Sequence, residues 1–171
     1  HVTDRFSQLG VSAAFSAWAD AGLAREGAGS DDYGVSWSTG VGGMHTYEKA
    51  YGEIFLNGRQ RVSPLSVPMA MNNAAASHIA MALGLGSACM TYSMACASST
   101  VSIGEAFRRI QRGESTLMVA GGSESPLAFT IMRAWEAMRV VAQTDADSAY
   151  RACQPFQLGR KGLVLAEGAA A

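Results

Sequence analysis

The stretch that decides the fold is Ser87-Ala88-Cys89-Met90-Thr91-Tyr92-Ser93-Met94-Ala95-Cys96-Ala97-Ser98-Ser99-Thr100, in which one type of secondary structure gives way to another. Residues 87–94 are typical of a strand, because they are rich in β-forming side chains. A helix is predicted to begin within residues 97–100. Cys96 therefore lies at the junction between a strand and a helix.

The segment after this junction has the pattern of an amphipathic helix. Ile103, Phe107 and Ile110 recur at offsets of four and three and predict one buried face, and Gly113 is expected to end the helix. A second strand is predicted over residues 115–120. Strand, helix and strand in this order indicate a βαβ-type unit.

The position of Cys96 favours a nucleophile. A thiolate at a helix N-terminus is stabilised by unpaired backbone N–H groups and by the positive end of the helix dipole. Small residues on both sides of Cys96 leave space for a substrate carbonyl. The alternative is that Cys96 is a small buried hydrophobic residue, a common fate of cysteine in intracellular proteins.

The rest of the chain also alternates helices with strands. A first helix, capped by Thr3 or Asp4 and ended by Gly22, carries an apolar stripe that is predicted to be buried and is formed by Phe6, Leu9, Ala13 and Ala17. Further elements are predicted as a strand over 33–39, a helix over 45–55, a helix of small side chains over 71–85, a helix over 127–142 and a final strand over 163–166. Gly121-Gly122 is expected to end the strand over 115–120. This alternation favours an α/β layered architecture.

Two short motifs are poor candidates for a site. The turn Gly40-Val41-Gly42-Gly43-Met44 lacks the Lys-Ser/Thr of a phosphate-binding loop and the third glycine of a dinucleotide fingerprint, so a tight turn between strand and helix is favoured. Gly121-Gly122-Ser123-Glu124-Ser125 has serine where a nucleophile elbow needs its last glycine. The histidines His1, His45 and His78 share no motif with Cys96 and are predicted to be structural or exposed.

Composition excludes several classes of function. The 171 residues carry 13 basic and 14 acidic side chains with no basic stripe, which argues against a nucleic-acid partner. Three separated cysteines predict neither a disulfide framework nor a zinc site, so we expect no metal and a cytoplasmic protein. The apolar run over 74–85 is too short to cross a bilayer, and no membrane association is expected.

Three motifs, in the same order, resemble those of the β-ketoacyl synthases, condensing enzymes of the thiolase superfamily. They are Ala95-Cys96-Ala97-Ser98-Ser99, Val119-Ala120-Gly121-Gly122-Ser123-Glu124, and the segment from Pro155-Phe156 to Glu167-Gly168-Ala169. Asp4-Arg5-Phe6 at the start of the first helix is also similar to the family. The resemblance runs over nearly the whole chain. It implies a thiolase-like layered α/β/α fold with a mixed sheet, of which residues 1–171 supply a partial N-terminal domain truncated at both ends, the first half of the ketosynthase fold without its first strand.

The resemblance implies a decarboxylative Claisen condensation in fatty-acid or polyketide-type biosynthesis. Cys96 would accept an acyl chain from an acyl carrier protein as a thioester, and its backbone N–H would be one of two oxyanion donors. The substrates are carried on the phosphopantetheine of the carrier, so no cofactor is expected. The two histidines and the lysine that the family uses in decarboxylation lie in later motifs, which implies that residues 1–171 alone do not condense. Such synthases are usually homodimers.

Some positions depart from the family or remain open. Gln157, Lys161, Leu163 and Ala166 replace usual family residues and suggest a divergent subfamily. Trp135 falls where relatives place an aromatic side chain near the acyl pocket, and ordinary core packing is the alternative. A cluster of Arg108, Arg109 and Arg112 either faces an acidic carrier protein or forms a solvated face.

Two other functions compete with a condensing enzyme. A non-catalytic subunit of the chain-length-factor kind would keep the fold and form a heterodimer with an active synthase, but the presence of Cys96 argues against it. An unrelated cysteine hydrolase would need a histidine close to Cys96 and would not explain the other motifs.

Overall fold

The computed structural model describes residues 2–24 and 29–171. Six helices and five strands are found in this part of the chain, together with a short 3-10 turn at Ala149–Arg151. In chain order the elements are α1 (Arg5–Asp20), β1 (Tyr33–Ser38), α2 (Met44–Phe55), α3 (Ser66–Ala70), α4 (Ala74–Leu83), β2 (Cys89–Tyr92), α5 (Ser98–Gln111), β3 (Leu117–Ala120), β4 (Gly122–Glu124), α6 (Phe129–Ala137) and β5 (Gly168–Ala170). None of the described helices is long and apolar enough to span a membrane.

Strand β1 lies at the centre of a three-stranded parallel sheet with the order β2-β1-β3. Val35 is opposite Cys89 on one side and opposite Val119 on the other. The predicted strand-helix-strand unit β2-α5-β3 is therefore parallel as expected, but β1 separates its two strands. Strands β4 and β5 form a separate antiparallel pair, so both strand directions of the predicted mixed architecture are present.

The two faces of β1 have opposite chemistry. Val35 and Trp37 are completely buried and belong to the apolar core formed with side chains of α1 and α4. Ser36 and Ser38 alternate with them and face α5. Helices thus cover both faces of the sheet, which confirms the predicted layered α/β/α arrangement.

The buried face of α5 differs from the predicted one. Ile103 and Phe107 are 55% and 64% exposed, and Ile110 is exposed as well. The helix instead buries Ser98, Ser102 and Ala106. Ser36 Oγ donates to Ser102 O at 2.7 Å, and Ser102 Oγ donates to Ser36 O at 2.6 Å. Small side chains allow the helix to approach β1 closely, and these hydrogen bonds satisfy the buried hydroxyls.

The buried stripe of α1 is also displaced from the predicted one. The residues that pack inward are Phe6, Gly10, Ala14 and Trp18, and Leu9, Ala13 and Ala17 are only partly buried. A Cβ on Gly10 would lie 3.1 Å from Trp37 Nε1 and 2.8 Å from Ser123 Oγ. The helix therefore crosses the core at a glycine, which apolar periodicity does not reveal.

The carboxylate of Asp4 accepts hydrogen bonds from the first turns of two helices. Asp4 is the N-cap of α1 and accepts the backbone N–H of Phe6 at 3.4 Å on Oδ1. Its Oδ2 accepts the backbone N–H of Thr46 at 2.8 Å and the hydroxyl of Thr46 at 2.6 Å, in the first turn of α2. Asp4 is buried, so these bonds also satisfy a group that water does not reach.

Three other predicted boundaries are wrong. The helix predicted over 127–142 ends at Ala137, and the helix predicted over 71–85 is the shorter α4, which ends at left-handed Gly84. The strand predicted over 163–166 is absent, because only the isolated bridge between Val141 and Leu163 offers that segment a strand-like partner. The last strand is β5, whereas β3 ends at Ala120, as Gly121-Gly122 predicted, and β4 belongs to a separate sheet.

Candidate active site

An open cavity of about 470 Å³ surrounds Cys96. The Cys96 side chain is exposed, so the alternative of a small buried hydrophobic residue is wrong. The cavity is lined from four parts of the chain: the end of β1 and its turn, the start of α5, strand β4 and strand β5. Its lining residues are Ser38, Thr39, Gly40, Ala95, Cys96, Ser98, Ser99, Gly122, Ser123, Glu124, Gly168, Ala169 and Ala170.

A strained turn presents Cys96. Ala95 has a φ of +50°, a left-handed conformation that side chains other than glycine seldom adopt. Ser98 Oγ accepts the N–H of Met94 at 2.7 Å and donates to the carbonyl of Ala95 at 2.7 Å. The helix begins at Ser98, as predicted, so Cys96 lies two residues before its first turn. Strain of this kind is common at functional sites, where surrounding contacts maintain it.

Serine hydroxyls and a glycine form the wall beside Cys96. Ser38 Oγ and Ser99 Oγ are 2.9 Å apart, and Ser38 Oγ also donates to Gly121 O at 3.1 Å. A Cβ on Gly122 would lie 2.4 Å from both hydroxyl oxygens. The strand β4 can pass this close only because residue 122 has no side chain.

The glycine-rich turn is occupied by a carboxylate of the chain itself. Glu124 Oε2 accepts the backbone N–H of Gly40 at 2.5 Å, and Glu124 Oε1 accepts the hydroxyl of Thr39 at 2.9 Å. The N–H of Val41 lies 3.2 Å from Oε2. The turn therefore uses for Glu124 the amide groups that a phosphate loop would offer to a nucleotide, in agreement with its prediction as a turn between strand and helix.

A second polar network lies outside the cavity lining. His45 Nε2 is 3.0 Å from Ser125 Oγ, and Ser125 Oγ donates to Glu167 Oε2 at 3.0 Å. Arg5 binds the other oxygen, with its Nε donating to Glu167 Oε1 at 2.9 Å. Hydrogen bonds from Arg5 and then from Ser125 hold the pKa of Glu167 below its usual value of 4.5. The hydrogen bond between Arg5 and Glu167 also raises the pKa of Arg5.

Comparison with known proteins assigns the family. All of residues 1–171 match the family model "Beta-ketoacyl synthase, N-terminal domain". The chain belongs to the beta-ketoacyl synthase family. This finding confirms the resemblance that the three sequence motifs indicated.

The relatives of this ketosynthase domain are longer proteins. It is 40% identical to Nodulation protein E of Rhizobium sp. (strain N33) and 39% identical to 3-oxoacyl-[acyl-carrier-protein] synthase 2 of Staphylococcus aureus (strain N315), in each case over 97% of this chain and 40% of the relative. A solved type II PKS ketosynthase in complex with its acyl-carrier protein is 25% identical, with a TM-score of 0.86 over 99% of this chain and 43% of that one. The chain therefore spans about 40% of the length of these curated relatives, and the ketosynthase fold is confirmed.

The other predicted site residues do not line the Cys96 cavity. Trp135 is half-buried on α6 and does not line the cavity of the ketosynthase domain, so its role near an acyl chain stays a prediction. Among the arginines at the C-terminal end of α5 and directly after it, Arg108 pairs with Glu105, and Arg109 and Arg112 pair with Glu114. The three arginines share two carboxylates, so the cluster keeps a net positive charge, and its role as a carrier-protein contact or a solvated face stays a prediction.

The histidines of the described residues also lie elsewhere. His45 belongs to the Ser125 network and His78 lies on α4, and neither lines the cavity. His1 lies outside the described residues. Within residues 2–24 and 29–171, no three His, Cys, Asp or Glu side chains are arranged to hold a metal ion.

Sequence reasoning missed Glu124, Gly122 and the two wall serines Ser38 and Ser99. Glu124 and Gly122 belong to a motif that resembles the family and departs from a serine nucleophile elbow, but neither comparison assigns these two residues a role beside Cys96. The signal that they offer is a Gly-Gly-x-Glu sequence directly after a buried strand, opposite a glycine-rich turn after another parallel strand. Parallel strands end at the same edge of a sheet, which brings these two segments together.

Proposed function

We propose that the protein containing this domain is a β-ketoacyl-[acyl carrier protein] synthase, an acyltransferase that condenses a cysteine-bound acyl chain with a malonyl thioester. The observation that carries the proposal is the exposed Cys96, presented by a strained turn into an open cavity just before the first turn of α5. Family membership and the identity to a 3-oxoacyl-[acyl-carrier-protein] synthase support it.

The first step is a thioester exchange on Cys96. The thiolate attacks the carbonyl carbon of an acyl thioester, the tetrahedral intermediate collapses, and the carrier thiolate leaves and takes up a proton. The N–H groups at the start of α5 are suited to stabilise the negative charge on sulfur before attack. The backbone N–H of Cys96 is proposed as one donor to the oxyanion of the intermediate.

The second step needs histidines, and none of those in the described residues lines the cavity. Decarboxylation of the malonyl thioester releases CO₂ and gives the carbanion that attacks the acyl-Cys96 carbonyl, which frees the thiolate again. His45 and His78 do not line the cavity, so the residues proposed for this step are the two histidines and the lysine that the resemblance places in later motifs. We therefore expect residues 1–171 alone to be inactive in condensation.

The partners are proposed on the same basis. The acyl chain is expected to arrive on the phosphopantetheine of an acyl carrier protein, and no dissociable cofactor is needed. The solved ketosynthase with its acyl-carrier protein, at 25% identity, supports this partner. A homodimer is the proposed assembly, and a heterodimer with a subunit of the chain-length-factor kind is its alternative.

Acylation of Cys96 is the direct test. The full-length protein is incubated with hexanoyl-carrier protein and its intact mass is measured, with Cys96→Ala as the control. One acyl group is expected on the wild type and none on Cys96→Ala. Cys89 and Cys153 are also exposed and serve as internal controls for unspecific thiol transfer. A wild-type protein that stays unmodified, or is modified equally at all three cysteines, would contradict the synthase and favour a non-catalytic partner subunit.

A further inference from the structure

We infer that Glu124 is a positioning residue for Cys96. Its carboxylate fixes the turn of residues 39–42, and this turn fixes the segment that leads into Cys96. The inference rests on the proposed role of Cys96 as the nucleophile. The placement of Cys96 then depends on a residue of β4 as well as on the motif that contains the thiol.

The carboxylate of Glu124 is bound almost entirely by the turn. Both oxygens are engaged, by the hydroxyl of Thr39 and by the backbone N–H groups of Gly40 and Val41. No lysine, arginine or histidine of the described residues lies within ion-pair distance of Glu124. The negative charge is therefore stabilised by backbone dipoles, and hydrogen bonds to an ionised acceptor are stronger than neutral ones.

The turn is shaped to accept this carboxylate. A Cβ on Gly40 would lie 2.6 Å from Glu124 Oε2, so a side chain there would displace the carboxylate. Thr39 Oγ1 donates to Glu124 and accepts the N–H of Gly42 at 3.2 Å. Gly42 has a φ of +66°, in the region that favours glycine. The shape and the donor groups of this turn therefore fit the carboxylate of Glu124.

The same turn holds the segment before the nucleophile. The N–H of Thr39 donates to the carbonyl of Tyr92, the last residue of β2, at 3.3 Å. The hydroxyl of Ser93 donates to the carbonyl of Gly40 at 3.2 Å. Ser93 is three residues before Cys96. Hydrogen bonds therefore connect Glu124 through the turn to the chain that carries the thiol.

The strained conformation at Ala95 explains why such support is needed. A left-handed alanine persists only when the surrounding contacts maintain it. On the helix side, Ser98 holds Met94 and Ala95. On the strand side, the only side-chain hydrogen bond described for Ser93 is to Gly40. Loss of the Glu124 contacts frees the turn, so Ala95 can relax and Cys96 leaves its place beside the start of α5.

The test compares Glu124→Gln with Glu48→Gln in the full-length protein. Glutamine keeps the length but removes the negative charge, so its hydrogen bonds with the turn are weaker, and an NH₂ group replaces one of the two acceptor oxygens. Glu48 is the matched control, because its carboxylate also accepts two backbone N–H groups, those of Phe129 and Thr130, yet it does not line the Cys96 cavity. Two rates are measured: alkylation of each cysteine by iodoacetamide, resolved by peptide mass spectrometry, and acylation by the hexanoyl N-acetylcysteamine thioester over a range of concentrations.

Glu124→Gln is expected to slow alkylation of Cys96 about tenfold or more and to leave Cys89 and Cys153 unchanged. In acylation the maximal rate should fall while the half-saturating thioester concentration stays constant, because Glu124 is proposed to act through the turn and not on the substrate. Glu124→Asp, which keeps the charge, should recover part of the rate. Glu48→Gln should leave the reactivity of all three cysteines unchanged.

Three outcomes would overturn the inference: an unchanged Cys96 rate in folded Glu124→Gln, an equal fall at all three cysteines, or an equal loss in Glu48→Gln. If Glu124→Gln does not fold, Ser93→Ala decides, since it removes only the exposed bond to Gly40, and an unchanged Cys96 rate in this variant would refute the connection. Alkylation needs no enzymatic activity. A wild type that is alkylated but never acylated at Cys96 would therefore reject the proposed function and still test the positioning by Glu124.

Discussion

At the scale of single residues, the shape of the cavity beside Cys96 depends on Gly122, which has no side chain. Gly122 packs against the hydrogen-bonded hydroxyls of Ser38 and Ser99 at distances that no Cβ tolerates. Ser38 is buried and held by Gly121 O, so it has little room to move. A methyl group at residue 122 must therefore push β4 away from α5 and distort the wall of the cavity.

We accordingly predict that Gly122→Ala destabilises the full-length protein by about 1–3 kcal/mol, the usual cost of overpacking, and slows acylation of Cys96. Gly104→Ala is the control, because an added Cβ there meets nothing within 4 Å. It replaces a glycine inside α5 and should stabilise by up to about 1 kcal/mol. Urea unfolding followed by circular dichroism measures both effects. Equal changes in the two variants would show that the packing at Gly122 is not tight.

Cys96 could be found from sequence, because strand and helix patterns meet at it and its neighbours are small. Glu124 and Gly122 could not be found in the same way. Their roles depend on the placement of β4 beside a turn more than 80 residues earlier in the chain. Local patterns carry no information on such long-range pairing, whereas the strain at Ala95 and the cavity are visible only in three dimensions.

At the scale of elements, α5 shows why apolar periodicity gave the right helix and the wrong face. The prediction gave weight to Ile103, Phe107 and Ile110 because of their hydrophobicity. The packing is governed by size and hydrogen bonding, since Ser98, Ser102 and Ala106 allow the close approach of α5 to β1. For the same reason, the buried face of α1 contains Gly10 and Ala14 in place of the predicted Leu9, Ala13 and Ala17. Small residues at helical spacing were the signal in both cases.

Ser102→Ala is expected to destabilise the full-length protein by about 1–3 kcal/mol. Its hydroxyl is fully buried and donates to Ser36 O, and the Ser36 hydroxyl lies 3.1 Å from it. Ser16→Ala is the matched control, because that serine is also in a helix but its hydroxyl bond to Ser12 O is exposed. It should change the free energy of unfolding by no more than about 0.5 kcal/mol. Thermal and urea unfolding of both variants test whether α5 packs against β1 through its serine face and not through its apolar face.

The start of two helices on Asp4 gives a second prediction at this scale. Asp4→Ala removes the caps of α1 and α2 together, and each cap is worth about 1 kcal/mol. We expect a loss of roughly 2–4 kcal/mol, because the Thr46 hydroxyl is also left without its buried partner. Asp20→Ala, at the exposed C-terminal end of α1, should be neutral or slightly stabilising, since a carboxylate is unfavourable there. Similar losses in both variants would contradict the double cap.

At the scale of the whole molecule, the Arg5–Glu167 pair joins the first helix to the segment before the last strand, 162 residues later. Ser125, the residue after β4, and His45 of α2 extend this connection. The ion pair is partly exposed, so its effect is expected to be modest and sensitive to salt. The ion pair matters because it connects several elements that are far apart in the chain.

The pH dependence of stability follows from this pair. Because the pKa of Glu167 is lower in the folded protein than its usual value of 4.5, the ionised carboxylate favours folding, and this stabilisation is complete above that value and is lost as the pH falls through the lowered pKa. We predict that the wild-type melting temperature falls more steeply than that of Glu167→Gln below about pH 5. Glu136→Gln, which removes an exposed helical pair with Arg133, should keep the wild-type slope. Parallel curves for the wild type and Glu167→Gln would refute this contribution.

The shared cap at Asp4 has a further consequence for the dynamics of the native state. The bond between Asp4 and Thr46 joins residues 42 positions apart, so fraying of the α1 start breaks a hydrogen bond of α2 at the same moment. Two helix ends that would normally open independently then share one opening event. Their amide protons, on Phe6 and Thr46, should exchange with solvent at rates governed by the same free energy, far slower than is usual for first-turn amides.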